Sequence, residues 1–374
     1  MKNKNYTIGG IISLVIAVLF SSCASRQAMS LKDAYKNDFK IGAAISSSQI
    51  MGNDTTSLKL LVENFNSVTA ENAMKWERIH PAPGVYNFDT TDRFVALGKK
   101  NGMFVVGHCL LWHQQTSAWG FTDSLGKDLS REALLERLRN HITTIVTRYN
   151  GQVNGYDVVN EALNEDGSMR KSKWYQIIGA DYIEKAFEFA KAADPNTELY
   201  YNDYNIENPA KRAGAIRIIK NLQAKGIKID GVGIQGHWHL DTPKLSDIDS
   251  SIAQFGRLGI KVMITEMDIN VLPRPENLSG AEVSTTFAMQ KEMNPYSSGL
   301  PDSVQLKLTD RYAAMFKIFR KYKGVMERVT LWGITDKGSW LNNWPIKGRT
   351  NYPLFFDRNY KAKPVVDELI QLTK

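Results

Sequence analysis

Eight times between residues 39 and 332, a short apolar run gives way to polar residues and then to a longer stretch of helical period. That alternation leaves few folds open to the chain. The short runs, read as strands, cover 39–45, 67–69, 103–107, 155–159, 199–201, 231–234, 261–265 and 328–332. Stretches such as 131–149, 181–193, 209–225 and 246–257 repeat apolar residues three or four positions apart, the pattern of helices with one buried face. Pro209 suits a first helical turn and Gly226 a helix end. Strands that each feed a helix predict an α/β fold, and eight such units favour a closed (β/α)8 barrel, the TIM barrel, over an open doubly wound sheet. No repeat, linker or low-complexity tract divides residues 39–374, so a single domain is expected, with 23–38 as its lead-in. The longest irregular stretch, 271–305, carries Pro273, Pro275, Pro295 and Pro301 and follows the seventh strand.

With 43% hydrophobic and 23% charged residues over 374 positions, the chain can build a large core, which excludes a disordered or fibrous protein. Two cysteines exclude a disulfide framework. The formal net charge of +8 comes from basic residues scattered singly. Clustered charge is what nucleic acid demands, so no nucleic-acid partner is expected. A mild attraction to acidic polysaccharide is compatible with the charge.

Lys2 and Lys4 precede an uncharged stretch, residues 8–20, too short to span a bilayer comfortably but suited to the apolar region of a signal peptide. It runs through Ser21 and Ser22 into Cys23 and resembles a bacterial lipoprotein signal, although Phe20 stands where Leu is usual. The expectation is a signal peptide over residues 1–22, lipidation of Cys23, and an exported protein touching the membrane through that anchor alone. A plain secretory signal cut nearby is the alternative. Cleavage before Cys23 leaves Cys109 without a partner thiol and lowers the formal charge to +6.

The polar residues after the strands are the informative ones. The second strand runs into Glu71, Asn72 and Lys75, and the third into His108, Trp112, His113 and Gln114. Asn160 and Glu161 follow the fourth, and Asn202, Asp203 and Tyr204 the fifth. The sixth ends in Gln235, His237 and Trp238, the seventh in Glu266 and Asp268, the eighth in Trp332 and Asp336. In a barrel these ends converge on one rim, where catalytic groups sit. Capping explains any one of them; it does not explain seven in turn. Two carboxylates on different strands can divide acid/base and nucleophilic work in glycoside hydrolysis. Aromatic faces with Asn, Gln, Lys and His donors suit a carbohydrate cleft. The histidine pairs His108/His113 and His237/His239 have the wrong spacing for one helix face, and no HExxH occurs, so no metal is expected. No phosphate-binding glycine loop and no GxSxG elbow appears, so neither a nucleotide cofactor nor serine-hydrolase chemistry is expected.

The segments TAENAMKW (69–76), GHCLLWHQ (107–114), DVVNEA (157–162), YNDYN (201–205), GIQGHW (233–238), TEMDI (265–269) and WGITDKGSW (332–340) together resemble glycoside hydrolase family 10, the endo-β-1,4-xylanases. They follow the family order from about residue 30 to the C-terminus. The resemblance implies an eight-stranded barrel and retaining cleavage of internal β-1,4-xylosidic bonds in xylan and xylo-oligosaccharides. It implies Glu161 as acid/base, Glu266 as nucleophile, His237 as the residue that orients the nucleophile, and Asn160 as the contact to the 2-hydroxyl of the reacting sugar. By the same resemblance Glu71, Asn72 and Lys75 hold the sugars on the non-reducing side, and His108, Trp112, Gln235, Trp332 and Trp340 wall the reacting-sugar site. Tyr204 stacks on the leaving-group side. A monomer without a cofactor is expected. Cys109 stands where the family commonly has Thr, and 271–305 is long for the family. A β-glucanase on the same barrel and an inactive surface polysaccharide-binding lipoprotein are the competing readings. The first conflicts with Trp332 and Trp340, which match residues crowding the place of a glucose hydroxymethyl; the second conflicts with the presence of both glutamates.

Overall fold

The computed structural model describes residues 29–278 and 284–374, together with Met1 and Asn3, so Cys23 and all but those two residues of the expected signal peptide lie outside the described residues. Eight parallel strands close on themselves: β1 (Lys40–Ile45), β2 (Ser67–Ala70), β3 (Phe104–Leu111), β4 (Gly155–Asn160), β5 (Glu198–Asp203), β6 (Gly231–Ile234), β8 (Lys261–Asn270) and β9 (Met326–Leu331). Each pairs with the next, β6 pairs with β8, and β9 returns to β1 through Lys40↔Arg328 and Ala43↔Leu331. This is the expected TIM barrel. Covered by helices outside and side chains inside, its strands are buried along nearly their whole length.

The helices form where the periodicity places them. Arg131–Arg148 starts on Ser130, whose hydroxyl accepts from the Ala133 N–H, and buries Leu134, Leu138, Ile142 and Ile145 along one face. Tyr182–Ala193, Pro209–Ala224 and Leu245–Gly256 occupy the other three stretches, with Pro209 in the first turn. Truncating a fully buried leucine such as Leu138 costs about 2–5 kcal/mol, since the close-packed surroundings relax only partly. The end of the barrel where the strands begin is closed by the chain ends. Helix Leu31–Ala34 and helix Pro364–Gln371 meet there, tied by the Tyr35 hydroxyl to the Leu369 carbonyl at 2.8 Å, with Arg320 Nε on Asp38 at 2.8 Å beside them.

Three details differ from the sequence expectation, all toward the opposite end. β3 and β8 run four to five residues further than their apolar runs, so His108, Glu266 and Asp268 lie inside strands. A short strand, β7 (His237–His239), pairs with the outer half of β8 through His237↔Asp268. It is separated from β6 by Gln235 and by Gly236 at φ 84°, a left-handed conformation in which a β-carbon would also press to 2.9 Å of Ile264. The long irregular stretch after β8 contains one short helix, the 3-10 turn Lys291–Met293, among the described residues and ends at helix Asp302–Lys321, four residues sooner than expected.

Candidate active site

The C-terminal ends of the strands deliver one cavity. Its lining includes Glu71, Asn72 and Lys75 after β2, His108 on β3 with Trp112 just beyond, Asn160 and Glu161 from β4, Gln235 and His237, Glu266 on β8, and Trp332 and Trp340 after β9. Tyr204 lines the pocket that adjoins it through His237 and Trp340. Every candidate site residue of the barrel therefore lies on this rim.

Glu161 directly follows β4 with φ at 57°, and its N–H donates to the Asn202 carbonyl at 2.9 Å. A non-glycine residue held there is strained, and the surrounding structure must enforce it. Its carboxyl accepts from Trp112 Nε1 at 2.8 Å and from Gln235 Nε2 at 3.0 Å. Burial, and then the charge of Asp203, push Glu161 up to about 7 against those two hydrogen bonds, with the Glu266 charge adding to the push.

Glu266 accepts from Asn202 Nδ2 at 2.8 Å and faces His237 Nε2 at 3.3 Å. Burial raises it, but His108, the hydrogen bond and charge of His237, and the Lys75 ammonium outweigh burial, and the carboxyl sits below its ordinary value. His237 in turn faces Asp268 through Nδ1 at 3.1 Å. Burial opposes its charge; Asp268 and Glu266 overcome that and lift the imidazole to about 10. At neutral pH it is a cation that donates from both ring nitrogens.

The other walls are similarly braced. Lys75 Nζ donates to Asn72 Oδ1 and Gln115 Oε1, both at 3.0 Å, and sits 4.8 Å from the Trp112 ring centre. His108 Nδ1 meets Asp157 at 2.9 Å and packs edge-on to Trp332. Tyr204 accepts from Arg170 at 3.1 Å. Trp340 Nε1 donates to Asp268 Oδ2 at 2.7 Å.

Sequence reasoning left roles for Asn202, Asp268 and Asp157 unassigned. Asn202 Nδ2 bridges Glu266 and Asn160 Oδ1, and Thr265 Oγ1 donates to its oxygen at 2.6 Å. A β-carbon on Gly233 would stand 2.2 Å from that Asn202 oxygen, so this position admits only glycine. Asp268 holds His237 and Trp340 together. Both Asn202 and Asp268 lie in segments already singled out, YNDYN and TEMDI, and Asp157 opens DVVNEA. Cys109 is buried as a free thiol, packed rather than reactive, and burial pushes it well up.

Two carboxyls in one cavity, the first protonated near neutrality and the second ionised, can donate a proton and attack a carbon in the same encounter. On the rim of a parallel barrel, between tryptophans, that pair defines a glycoside-cleaving enzyme. The chain belongs to glycosyl hydrolase family 10, whose model matches residues 30–372. It is 47% identical over 342 residues to endo-1,4-beta-xylanase A of Xylanibacter ruminicola, covering 91% of this chain and 93% of that one. It is 38% identical to an endo-1,4-beta-xylanase of Geobacillus stearothermophilus, over 92% of this chain and 98% of the relative. Among solved structures, a GH10 endoxylanase from a sugarcane soil metagenome superposes with a TM-score of 0.89 at 45% identity, covering 92% of this chain and all of the other. The GH10 enzyme of Paenibacillus barcinonensis gives 0.84 at 35%, over 92% and 98%.

Proposed function

We propose that this chain is a retaining endo-1,4-β-xylanase that cuts internal bonds of xylan by double displacement. The observation that carries the reading is the opposed protonation of Glu161 and Glu266 inside one tryptophan-walled cavity, and the names of the relatives agree with it. Glu266 attacks the anomeric carbon while Glu161 gives its proton to the leaving oxygen, and a glycosyl ester on Glu266 results. Esterification removes the Glu266 charge that helps to hold the Glu161 proton. Glu161 then ionises more readily and serves as base toward the incoming water. His237 steers Glu266 by donating to one of its oxygens, and Asn202 holds the other. Asn160 has its oxygen occupied by Asn202 and Gln235, and its Nδ2 makes only a 3.4 Å contact to Glu161. That nitrogen is suited to the 2-hydroxyl of the reacting sugar, a bond that strengthens as oxocarbenium character develops. Glu71, Asn72 and Lys75 present a polar row for sugars on the non-reducing side, and Tyr204 a flat face beyond the cut.

The test is sugar release from xylan beside cellulose and mixed-linkage glucan, with Glu266→Ala and Glu161→Ala in parallel. Wild type should act on xylan first, and Glu266→Ala should be inactive on every substrate. Glu161→Ala should lose xylan hydrolysis yet still cleave a dinitrophenyl xylobioside to the glycosyl ester, with azide restoring turnover as a β-azide product. Equal release from glucan, or an azide-insensitive Glu161→Ala enzyme slowed alike on both substrates, defeats the reading.

The location is part of the same proposal: an exported lipoprotein anchored through Cys23, as the apolar stretch before that residue supports. Cys23→Ala should move the enzyme from the membrane fraction to the soluble one without loss of specific activity. Wild type found wholly soluble defeats it.

A further inference from the structure

On the leaving-group side the catalytic cavity opens, past His237 and Trp340, into a second, solvent-open pocket. The stretch that follows β8 forms one wall of it, and Arg274 and Arg349 are both among the lining residues. A xylose backbone carries no charge, yet this pocket does. His237 and Asp268 are an ion pair and offset one another, which leaves two guanidinium groups without a carboxylate among the lining residues.

The two arginines do different work. Arg349 is buried and ties the wall together: its terminal nitrogens donate to the Pro273 carbonyl at 3.0 Å and the Trp344 carbonyl at 3.2 Å. Trp344 stacks on Trp340 with ring centres 4.8 Å apart and planes 16° from parallel, so the wall Arg349 braces is a flat aromatic one. Arg274 is exposed at the mouth and donates to the Leu278 carbonyl at 3.1 Å. A guanidinium has five donors in a planar fork that matches a carboxylate. Both positive charges are felt by His239 at the same pocket: burial first, and then Arg274, press that imidazole down to about 4, so it is neutral near pH 7.

We infer that this pocket takes a uronic-acid side group borne by the xylan on the leaving-group side, with the carboxylate paired to Arg274 and the sugar ring against the Trp340–Trp344 face. The inference rests on the xylanase reading and adds the class of decoration the enzyme selects. The positive net charge of the whole chain draws such a polymer in at longer range.

The experiment compares glucuronoxylan with the same polymer after its carboxyl groups have been reduced to hydroxymethyls, which keeps the side group and removes only its charge. Wild type should favour the native polymer in kcat/KM by about two- to fivefold at low salt, the range expected of an exposed charge pair. Raising the ionic strength should shrink that ratio. In Arg274→Ala the ratio should fall to about one, and Arg274→Lys should keep part of it. Equal kcat/KM on the two polymers in wild type overturns the inference, and so does an unchanged ratio in Arg274→Ala. Wild type that cuts neither polymer overturns instead the xylanase reading beneath it, so the two failures are distinct.

Discussion

Glu161 and Glu266 are joined by an unbroken chain of amide hydrogen bonds and still hold opposite protonation states. Gln235 Nε2 donates to Glu161 and to Asn160 Oδ1, and Asn202 Nδ2 donates to the same Asn160 oxygen and to Glu266. The split arises outside this chain. Burial and then Asp203 raise Glu161, whereas His108, His237 and Lys75 outweigh burial at Glu266.

The pH dependence follows directly. Glu161 must carry its proton when substrate binds, and it loses that proton as pH rises through about 7. Glu266 must be ionised, and its carboxyl is protonated only below its ordinary value of 4.5. On xylan, kcat/KM should therefore trace a bell that falls above about pH 7 and again in acid. With a dinitrophenyl xylobioside, whose leaving group needs no proton, the alkaline fall should flatten. A plateau on xylan through pH 9 contradicts the assignment of Glu161.

Asp268 acts on the reaction through His237. Replacing it by Asn removes the charge that keeps the imidazole protonated, so His237 loses its proton at lower pH and Glu266 loses part of its cationic partner. The Glu266 carboxyl then rises. Asp268→Asn should lower kcat/KM by about ten- to hundredfold, short of losing the general acid itself. It should also move the acid limb of the profile to higher pH. A packing defect lowers activity without moving that limb, so an unmoved limb refutes the positioning role.

Substrate size is read by Trp332 and Trp340. Trp332 is buried against His108, and Trp340 is fixed by its bond to Asp268. A wall held this firmly cannot yield to a hydroxymethyl on ring carbon 5. Absent contacts discriminate weakly, whereas a clash discriminates strongly. Aryl xylobiosides should exceed aryl cellobiosides in kcat/KM by about a hundredfold or more, and Trp340→Ala should narrow the gap. Similar rates on the two in wild type rule the wall out.

A second buried pair limits stability in acid. His80 and His141 meet Nδ1 to Nδ1 at 3.0 Å, between Tyr86 stacked on the first and Trp76 on the second. One ring donates and the other accepts, so a further proton falls on the donor ring's Nε2, which is buried with no hydrogen-bond partner among the described residues. Burial presses His80 down to about 4 and His141 well below its ordinary value. The unfolded chain thus binds more protons as pH falls from about 6.5 toward 4, and the fold loses stability over that window. The loss should be on the order of 2 kcal/mol by urea unfolding. His80→Gln should flatten the slope whatever its stability at pH 7. An unaltered slope counts against the pair.

Much of the fold was legible because covered strands and one-faced helices impose different periods. The eight apolar runs therefore found the barrel. What they did not find was where β3 and β8 end. A reader of sequence stops a strand at the first charged residue, since an unpaired buried charge is costly. Glu266 and Asp268 continue β8 because His237 and Asn202 on other strands, and Trp340 in the loop after β9, satisfy them. Those partners are distant in the chain, and pairing across a barrel leaves no local trace. Asp157 escaped notice for the same reason: it sits in the middle of β4, where its partner is His108 on β3. The pocket wall after β8 has no period at all, so neither its approach to Trp344 nor the charge it brings could be read in advance.

The junction of the first and last helices gives the molecule a direction. Tyr35 and Leu369 meet where the strands begin, and the substrate cavity opens where they finish. An enzyme tethered by Cys23 would leave its tether at the back, with six residues from Cys23 to the first described stretch at Met29. The cleft then looks outward from the supporting surface, so a polymer far too large to slip beneath the enzyme can still lie across its face.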